Sequence, residues 1–403
     1  MSDETLVVEG LLDFVDKEVA PLQEQLGELF ENPRLRYEES GREAAAVLDV
    51  RREVRQRSAA AGYYTAFCPE NIGGGGLGER QEFLSWEALH RRYGPGHLLM
   101  YDAISHWTSG PSPIWSQAST GLRRDVLPEL MSGRLSGSFG MSEPDAGTDA
   151  WRMKTTAKRD GDDWLLNGSK QWTSFSPTAD FVMTFAVTDN AMREERKGGI
   201  TCFYVPTKSP GFAVESVIKL FGEIGGHEGI LSYEDVRVSD EYRIGEVNSG
   251  FALAMLGSTR GRFYNTARSV GLSRWALEKS VAYAQVRWAG GKPIGQHQSI
   301  QNMLADCAVE IYAARMMGLA CASKAETGVD IRRDAAMAKL YATNAAGRVM
   351  DRAMQVHGGM GLTNEMRFYE GWKTARIIQI GDGTNEILRQ TIAKSLLRGD
   401  LSF

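Results

Sequence analysis

DWLLNGSKQWTSF, residues 163–175, sets apolar and aromatic residues in short runs around an Asn-Gly pair, a texture that belongs to strands and not to helices. Asn167-Gly168 between two such runs signals a hairpin. The same texture recurs in DFVMTFAVT (180–188), GITCFYVPT (199–207), GFAVESVIKL (211–220) and GILSYEDVRV (229–238), so the middle of the chain reads as a small β domain. On either side the period changes. EAAAVLDVRREVRQRSAAAG (43–62) and GERQEFLSWEALHRRYG (78–94) place apolar residues three and four apart between charges, as do the long stretches 250–287 and 298–326. The expected order is an N-terminal α-helical domain over 1–134, a middle β-barrel or sandwich domain over 135–246, and a C-terminal α-helical bundle over 247–403, a mainly α fold with a small β domain.

At 403 residues the chain is long enough for two or three packed units with large cores. Its 46 basic and 51 acidic side chains give a formal net charge of -5 without a long basic run, which argues against nucleic acid as a partner. The acidic, charge-interrupted start MSDETLVVEGLLDFVDKEVAP is neither a signal peptide nor an anchor, and no apolar run reaches the ~18 residues needed to span a bilayer, so no stable membrane insertion and a cytoplasmic setting are expected. Four scattered cysteines without a Cys-x-x-Cys pair, and six scattered histidines, predict neither a disulfide framework nor a metal site. NIGGGGLGE (71–79) matches Gly-x-Gly-x-x-Gly, but it lies in a helical region without the preceding strand that a dinucleotide fingerprint needs, and reads as a loop between helices. Asn167-Gly168-Ser169 is formally a glycosylation acceptor, an accidental match in a chain with no secretory signal.

Other stretches carry chemical groups. GSFGMSEPDAGTDAW (137–151) opens the β domain with small residues and hydroxyls able to present amides to a planar polar ligand. In KQWTSF (170–175), strand alternation points Trp172 and Ser174 to one face, where an indole could stack on a ring and a hydroxyl bond its edge; composition alone reads Trp172 as a core aromatic. VRWAGGKPIGQHQSIQ (286–301) pairs Arg287 with a Gly-rich turn and Gln298, a plausible diphosphate clamp because the guanidinium forks onto phosphate oxygens. QVHGGMGL (355–362) is either a close-approach glycine turn or a helix C-cap.

In this order, MSEPDAGTD, NGSKQWTS, GKPIGQHQSIQ, QVHGGMG and DGTNEI resemble blocks of the acyl-CoA dehydrogenase family over nearly the whole chain. The resemblance implies FAD held between the three domains, usually in a homotetramer or else a homodimer. It implies that Met141 and Ser142 meet the flavin's pyrimidine edge and that Trp172 and Ser174 line the ring, which turns Trp172 from core residue to flavin contact. Arg287, Gln298, Gln355 and Gly359 are implied to grip the diphosphate and adenosine of a FAD in the neighbouring subunit, with Thr384 and Glu386 completing the cofactor site. Thr148 and Arg262 resemble residues that hold the substrate's thioester-bearing arm, and Gly383 lies beside them on the substrate side. The implied substrate is an acyl-CoA, or the thioester of an acyl-carrier-protein, oxidised to the 2,3-enoyl thioester; the implied electron acceptor is electron-transferring flavoprotein.

Asp382 stands where many members of the family carry the Glu that takes the proton next to the thioester carbonyl; branches with Asp-Gly here also exist. Others place the base just before the Arg of TRGRF, a position that is Gly261 in this chain, which leaves Asp382 the only base candidate at either place. In relatives a flavin hydroxyl and the base residue's own backbone amide stabilise the developing enolate. The competing reading is that Asp382 only caps the final helix, since Asp is a favoured N-cap residue. Two functions therefore compete with dehydrogenation: a flavin monooxygenase on the same fold, and a non-catalytic FAD-binding subunit.

Overall fold

The computed structural model describes residues 3–402. Packing groups them into two compact units: one comprises the chain up to Asp13, Gly78–Leu98 and the chain from Ser258 onward; the other comprises Phe14–Leu77 and Leu99–Gly257.

The second unit holds an eight-stranded sheet, all of it within the stretch read as β: β1 Gly137–Gly140, β2 Thr156–Asp160, β3 Asp163–Ser174, β4 Phe181–Val187, β5 Ile200–Pro206, β6 Phe212–Ile218, β7 Glu228–Ser239 and β8 Arg243–Ile244. The order is β6-β7-β3-β2-β4-β5-β8, with β1 pairing parallel to β4. Every residue of β4 is buried, and alternation divides them between two cores. Phe181, Met183, Phe185 and Val187 pack with Ile114, Trp115, Leu122 and Leu130 from helical and turn segments. Val182 and Ala186 pack with Trp164, Leu166, Phe203, Leu231, Tyr233 and Val236, so the sheet curls until β3 and β7 share a core with β4 and β5.

One turn lies elsewhere than the sequence suggests. The β2–β3 hairpin closes at Gly161-Asp162, with Asp160 opposite Asp163, and Asn167-Gly168 sits inside β3. There the register against β7 slips between Leu166 and Gly168. Asn167 spans the slip, its Nδ2 donating to Asp235 Oδ1 at 2.8 Å and its Oδ1 accepting from Asp235 N–H at 2.9 Å. The conformational freedom that makes Asn-Gly a turn signal serves a bulge here: Gly168 has φ 143°, and a Cβ on it would meet Thr155 at 2.6 Å.

The first unit is helical, built from Glu79–Tyr93, most of Gly250–Val286, Gln298–Ala325, Arg332–His357, Phe368–Ile378 and Asn385–Leu397. Helix Arg332–His357 buries Ala335, Ala336, Ala338, Ala342, Ala345, Ala346 and Ala353 around Val349 and Met350, and such small residues let helices approach closely. Along Gly250–Val286 the hydroxyls of Thr266, Ser269, Ser273 and Ser280 donate to carbonyls four residues back at 2.7–2.8 Å, which satisfies polar groups inside the bundle. The loop reading of NIGGGGLGE also stands: residues 70–72 form a single 3₁₀ turn and an irregular stretch leads to helix Glu79–Tyr93. Among the described residues, no helix is long and apolar enough to cross a membrane, and no group of three or more His, Cys, Asp or Glu could hold a metal ion.

Candidate active site

Helix Phe368–Ile378 ends in a loop that returns into helix Asn385–Leu397, with Gly381 N–H donating to Ile377 O at 3.0 Å and Asn385 N–H to Gln379 O at 3.0 Å. The cap of the last helix is Thr384, whose hydroxyl accepts from Ile387 N–H at 3.3 Å. Asp382 therefore does not cap it. Thr and Asp are both good caps two residues apart, and the backbone decides between them: Asp382 sits in the left-handed region at φ 55°, followed by Gly383 at φ 92°.

Two helices surround this loop. From Gly250–Val286, Asn265 Nδ2 donates to Asp382 Oδ2 at 2.7 Å and Arg262 Nε to the Asp382 carbonyl at 3.1 Å. From Arg332–His357, the fully buried Lys339 donates through Nζ to Gly381 O at 2.5 Å and Gly383 O at 2.7 Å. Three consecutive carbonyls, 381 to 383, are thus held by two cations. Gly261 faces the carboxylate: a methyl group added there would lie 2.5 Å from Asp382 Cγ and Oδ2. The two positions at which the family resemblance allows a base converge on one spot, and glycine at one leaves room for the carboxylate of the other. Burial pushes the Asp382 carboxyl up, and although Lys339, Arg262 and the Asn265 hydrogen bond pull it back, it stays above the usual aspartate range. Burial brings the Lys339 ammonium down to about 8 against the attraction of Asp382, with Arg262 adding to the fall. Burial also lowers Arg262, opposed by Asp382.

In the sheet-bearing unit, Gln171 N–H donates to Ser142 O at 2.8 Å, Lys170 Nζ to Met141 O at 3.2 Å, and Ser138 Oγ to Ser174 O at 2.5 Å, so Met141 and Ser142 lie against the end of β3 that carries Trp172 and Ser174. Simple alternation fails there: an extra residue between Lys170 and Thr173 shifts the register, and Trp172 takes φ 59°. The core reading of Trp172 is wrong, since its side chain is 51% exposed; Ser174 is partly buried. Thr148 is exposed on the loop after Ser142.

A third group returns to the helical unit. Ala284, Ile294 and Val356 form a small apolar cluster with Tyr283 and Ile300, and Arg287, Gln298 and Gln355 stand exposed on the same segments. Gly358, at φ 58°, is the C-cap residue of helix Arg332–His357, its N–H donating to Gln355 O, while a Cβ on Gly359 would meet no atom within 4 Å. Both readings of QVHGGMGL thus have a residue: Gly358 caps, and Gly361, whose Cβ would meet Met354 O at 2.4 Å, is the close approach. Glu386 is exposed in the first turn of the last helix.

Sequence reading missed Asn265 and Lys339. The signal for Lys339 was present: it falls on the buried stripe of its helix with Ala335, Ala336, Ala342 and Ala346, where an unpaired lysine is rare.

Residues 248–397 match the model of the acyl-CoA dehydrogenase C-terminal domain, and residues 138–236 that of the middle domain. A probable acyl-CoA dehydrogenase of Bacillus subtilis is 32% identical over 98% of this chain and 98% of its own. The CarC subunit of the caffeyl-CoA reductase-Etf complex of Acetobacterium woodii is 30% identical over 86% of this chain and 90% of its own. The butyryl-CoA dehydrogenase structure from Megasphaera elsdenii superposes with a TM-score of 0.79 at 28% identity, covering 99% of both chains. A unit built on a curled sheet and a helical unit that holds a partly buried carboxylate define the class. The chain belongs to the acyl-CoA dehydrogenase family, FAD-linked oxidoreductases acting on CH–CH groups.

Proposed function

We propose that this protein oxidises an acyl-CoA to the 2,3-enoyl thioester, with Asp382 as the base that takes the proton from the carbon next to the thioester carbonyl. The observation that carries this reading is the Asp382 loop: a carboxylate released from capping by Thr384, given space by Gly261 and raised above the ordinary aspartate range. A raised carboxylate is a stronger base once ionised, and the work of a general base needs that match to neutral pH. The residue types fit a planar cofactor with a charged tail: Trp172 stands half in solvent beside Met141 and Ser142, and Arg287, Gln298, Gln355 and Gly359 are open to a ligand. FAD, when bound, supplies the acceptor for the hydride that leaves the neighbouring carbon. Met141, Ser142, Trp172 and Ser174 would hold its ring, with Thr384 and Glu386 completing the site, while Arg287, Gln298, Gln355 and Gly359 would grip the diphosphate and adenosine of the FAD in a neighbouring subunit. Thr148, Arg262 and Gly383 would align the thioester.

Electron-transferring flavoprotein is proposed as the acceptor, in line with the Etf complex named for one relative. A homotetramer or homodimer is proposed because Val309, Tyr312 and Met316, on one stripe of helix Gln298–Ala325, are exposed, two of them at 68%. Four buried cysteines that form no disulfide among the described residues accord with a reducing, cytoplasmic setting. The test is anaerobic addition of a graded series of acyl-CoAs to the yellow holoprotein. Bleaching of the flavin by at least one of them is expected; a flavin that stays oxidised with every one, yet bleaches with dithionite, overturns the reading.

A further inference from the structure

Lys339 is fully buried, yet the acceptors of its Nζ are two backbone carbonyls, Gly381 O and Gly383 O, on either side of Asp382. Burying an ammonium without a contacting carboxylate is costly, and an apolar side chain would serve packing alone at lower cost. Covalent geometry gives the contact a consequence. All peptide bonds among the described residues are trans, so the N–H of residue 382 points opposite to the carbonyl of residue 381. A cation that draws Gly381 O toward itself turns the Asp382 N–H away from itself, and polarises that amide into a stronger donor. Arg262 does the same through the Asp382 carbonyl to the next N–H.

We propose that Lys339 is a positioning residue for the proton abstraction: through the Gly381 and Gly383 carbonyls it holds the loop so that the Asp382 N–H and carboxylate are presented together to the thioester. This rests on the reading of Asp382 as the base. The charge has a second effect. The groups facing Asp382 are Lys339 from helix Arg332–His357 and Arg262 and Asn265 from helix Gly250–Val286; Lys339 in turn faces Asp382 and Arg262. Burial drives the carboxyl up, and Lys339 is the foremost of the groups that oppose it, so removing the ammonium raises the pH at which Asp382 ionises.

The experiment compares the parent holoenzyme with Lys339→Met and Lys339→Gln, the second keeping a donor while dropping the charge; whichever retains flavin is read. Anaerobic single-turnover reduction by a saturated acyl-CoA is followed against pH, and the pH at which bound 3-oxobutyryl-CoA ionises to its enolate is measured by absorbance. Reduction at neutral pH should slow about tenfold or more, a fraction of what losing an oxyanion donor costs. The ascending limb of the rate profile and the ionisation of the bound 3-oxoacyl thioester should both move up by about one pH unit. Unmoved limbs with full flavin content overturn the proposal. Asp382→Asn separates it from the reading beneath: if that variant reduces as fast as the parent, the base assignment itself has failed, whereas a dead Asp382→Asn beside an unaltered Lys339→Met removes the positioning role alone.

Discussion

Lys170 and Lys339 are both fully buried, one in each compact unit, and they are partnered in opposite ways. Lys170, on β3, donates to Glu143 Oε1 at 2.8 Å and Met141 O at 3.2 Å, and Glu143 also accepts from the backbone N–H groups of Lys154 at 2.6 Å and Thr155 at 3.0 Å. Burial alone would raise the Glu143 carboxyl, but Lys170 and the hydrogen bonds from Thr155 and Lys154 bring it below the usual glutamate range. That network is closed: each charge has its opposite in contact, and the result is a fixed loop under Met141 and Ser142. Lys339 Nζ donates to carbonyls, and the carboxylate on its loop accepts instead from a neutral amide, Asn265. Asp382 therefore keeps a carboxyl above its ordinary range while Glu143 falls below it. The same residue type supports architecture where its charge is neutralised on contact and supports chemistry where it is not.

Replacing each carboxylate separates the two roles. Asp382→Asn should cut flavin reduction by a good acyl-CoA roughly a hundredfold or more in anaerobic stopped flow, the usual contribution of a positioned base. Its stability should stay near the parent's, because Thr384 caps the helix and an amide can still pair with Asn265. A variant that unfolds would make Asp382 as architectural as Glu143 and erase the contrast. Glu143→Ala should do the reverse, costing about 3–5 kcal/mol in denaturant unfolding by leaving the Lys170 ammonium buried without its partner. If it folds as stably as the parent, the closed-network description of that unit is wrong. The smallest effect is expected from Gly261→Ala. Alanine within a helix gains up to about 1 kcal/mol over glycine, but the new methyl meets the Asp382 carboxylate, so stability should change little while reduction slows about tenfold. An unchanged rate would mean that the carboxylate has slack, which would loosen the comparison with the tightly held Glu143.

Local chemistry was legible where it is local. The strand texture of 163–238, the helical period of 43–62 and 298–326, and the loop nature of NIGGGGLGE follow from residues within one or two turns of each other. Where two nearby residues could each do one job, the chain could not choose: Asp382 and Thr384 are both competent caps, and Asn167-Gly168 and Gly161-Asp162 are both competent turns. Composition misplaced Trp172 for a related reason: it ranks an indole as a core residue, whereas one extra residue in β3 shifts the ladder there and leaves the side chain half exposed.

What the amino-acid sequence by itself determined is the order of elements, the blocks of family resemblance and the candidacy of Asp382, because each depends on short-range spacing and side-chain type. Tertiary structure alone decided what that carboxylate faces. Asn265 lies 117 residues before it in the chain, and Lys339 reaches the carbonyls flanking it across 42 and 44 residues. The environment that raises a pKa and orients an amide is made by burial and by groups brought together through packing, and neither burial nor distance is a property of any stretch of sequence read alone.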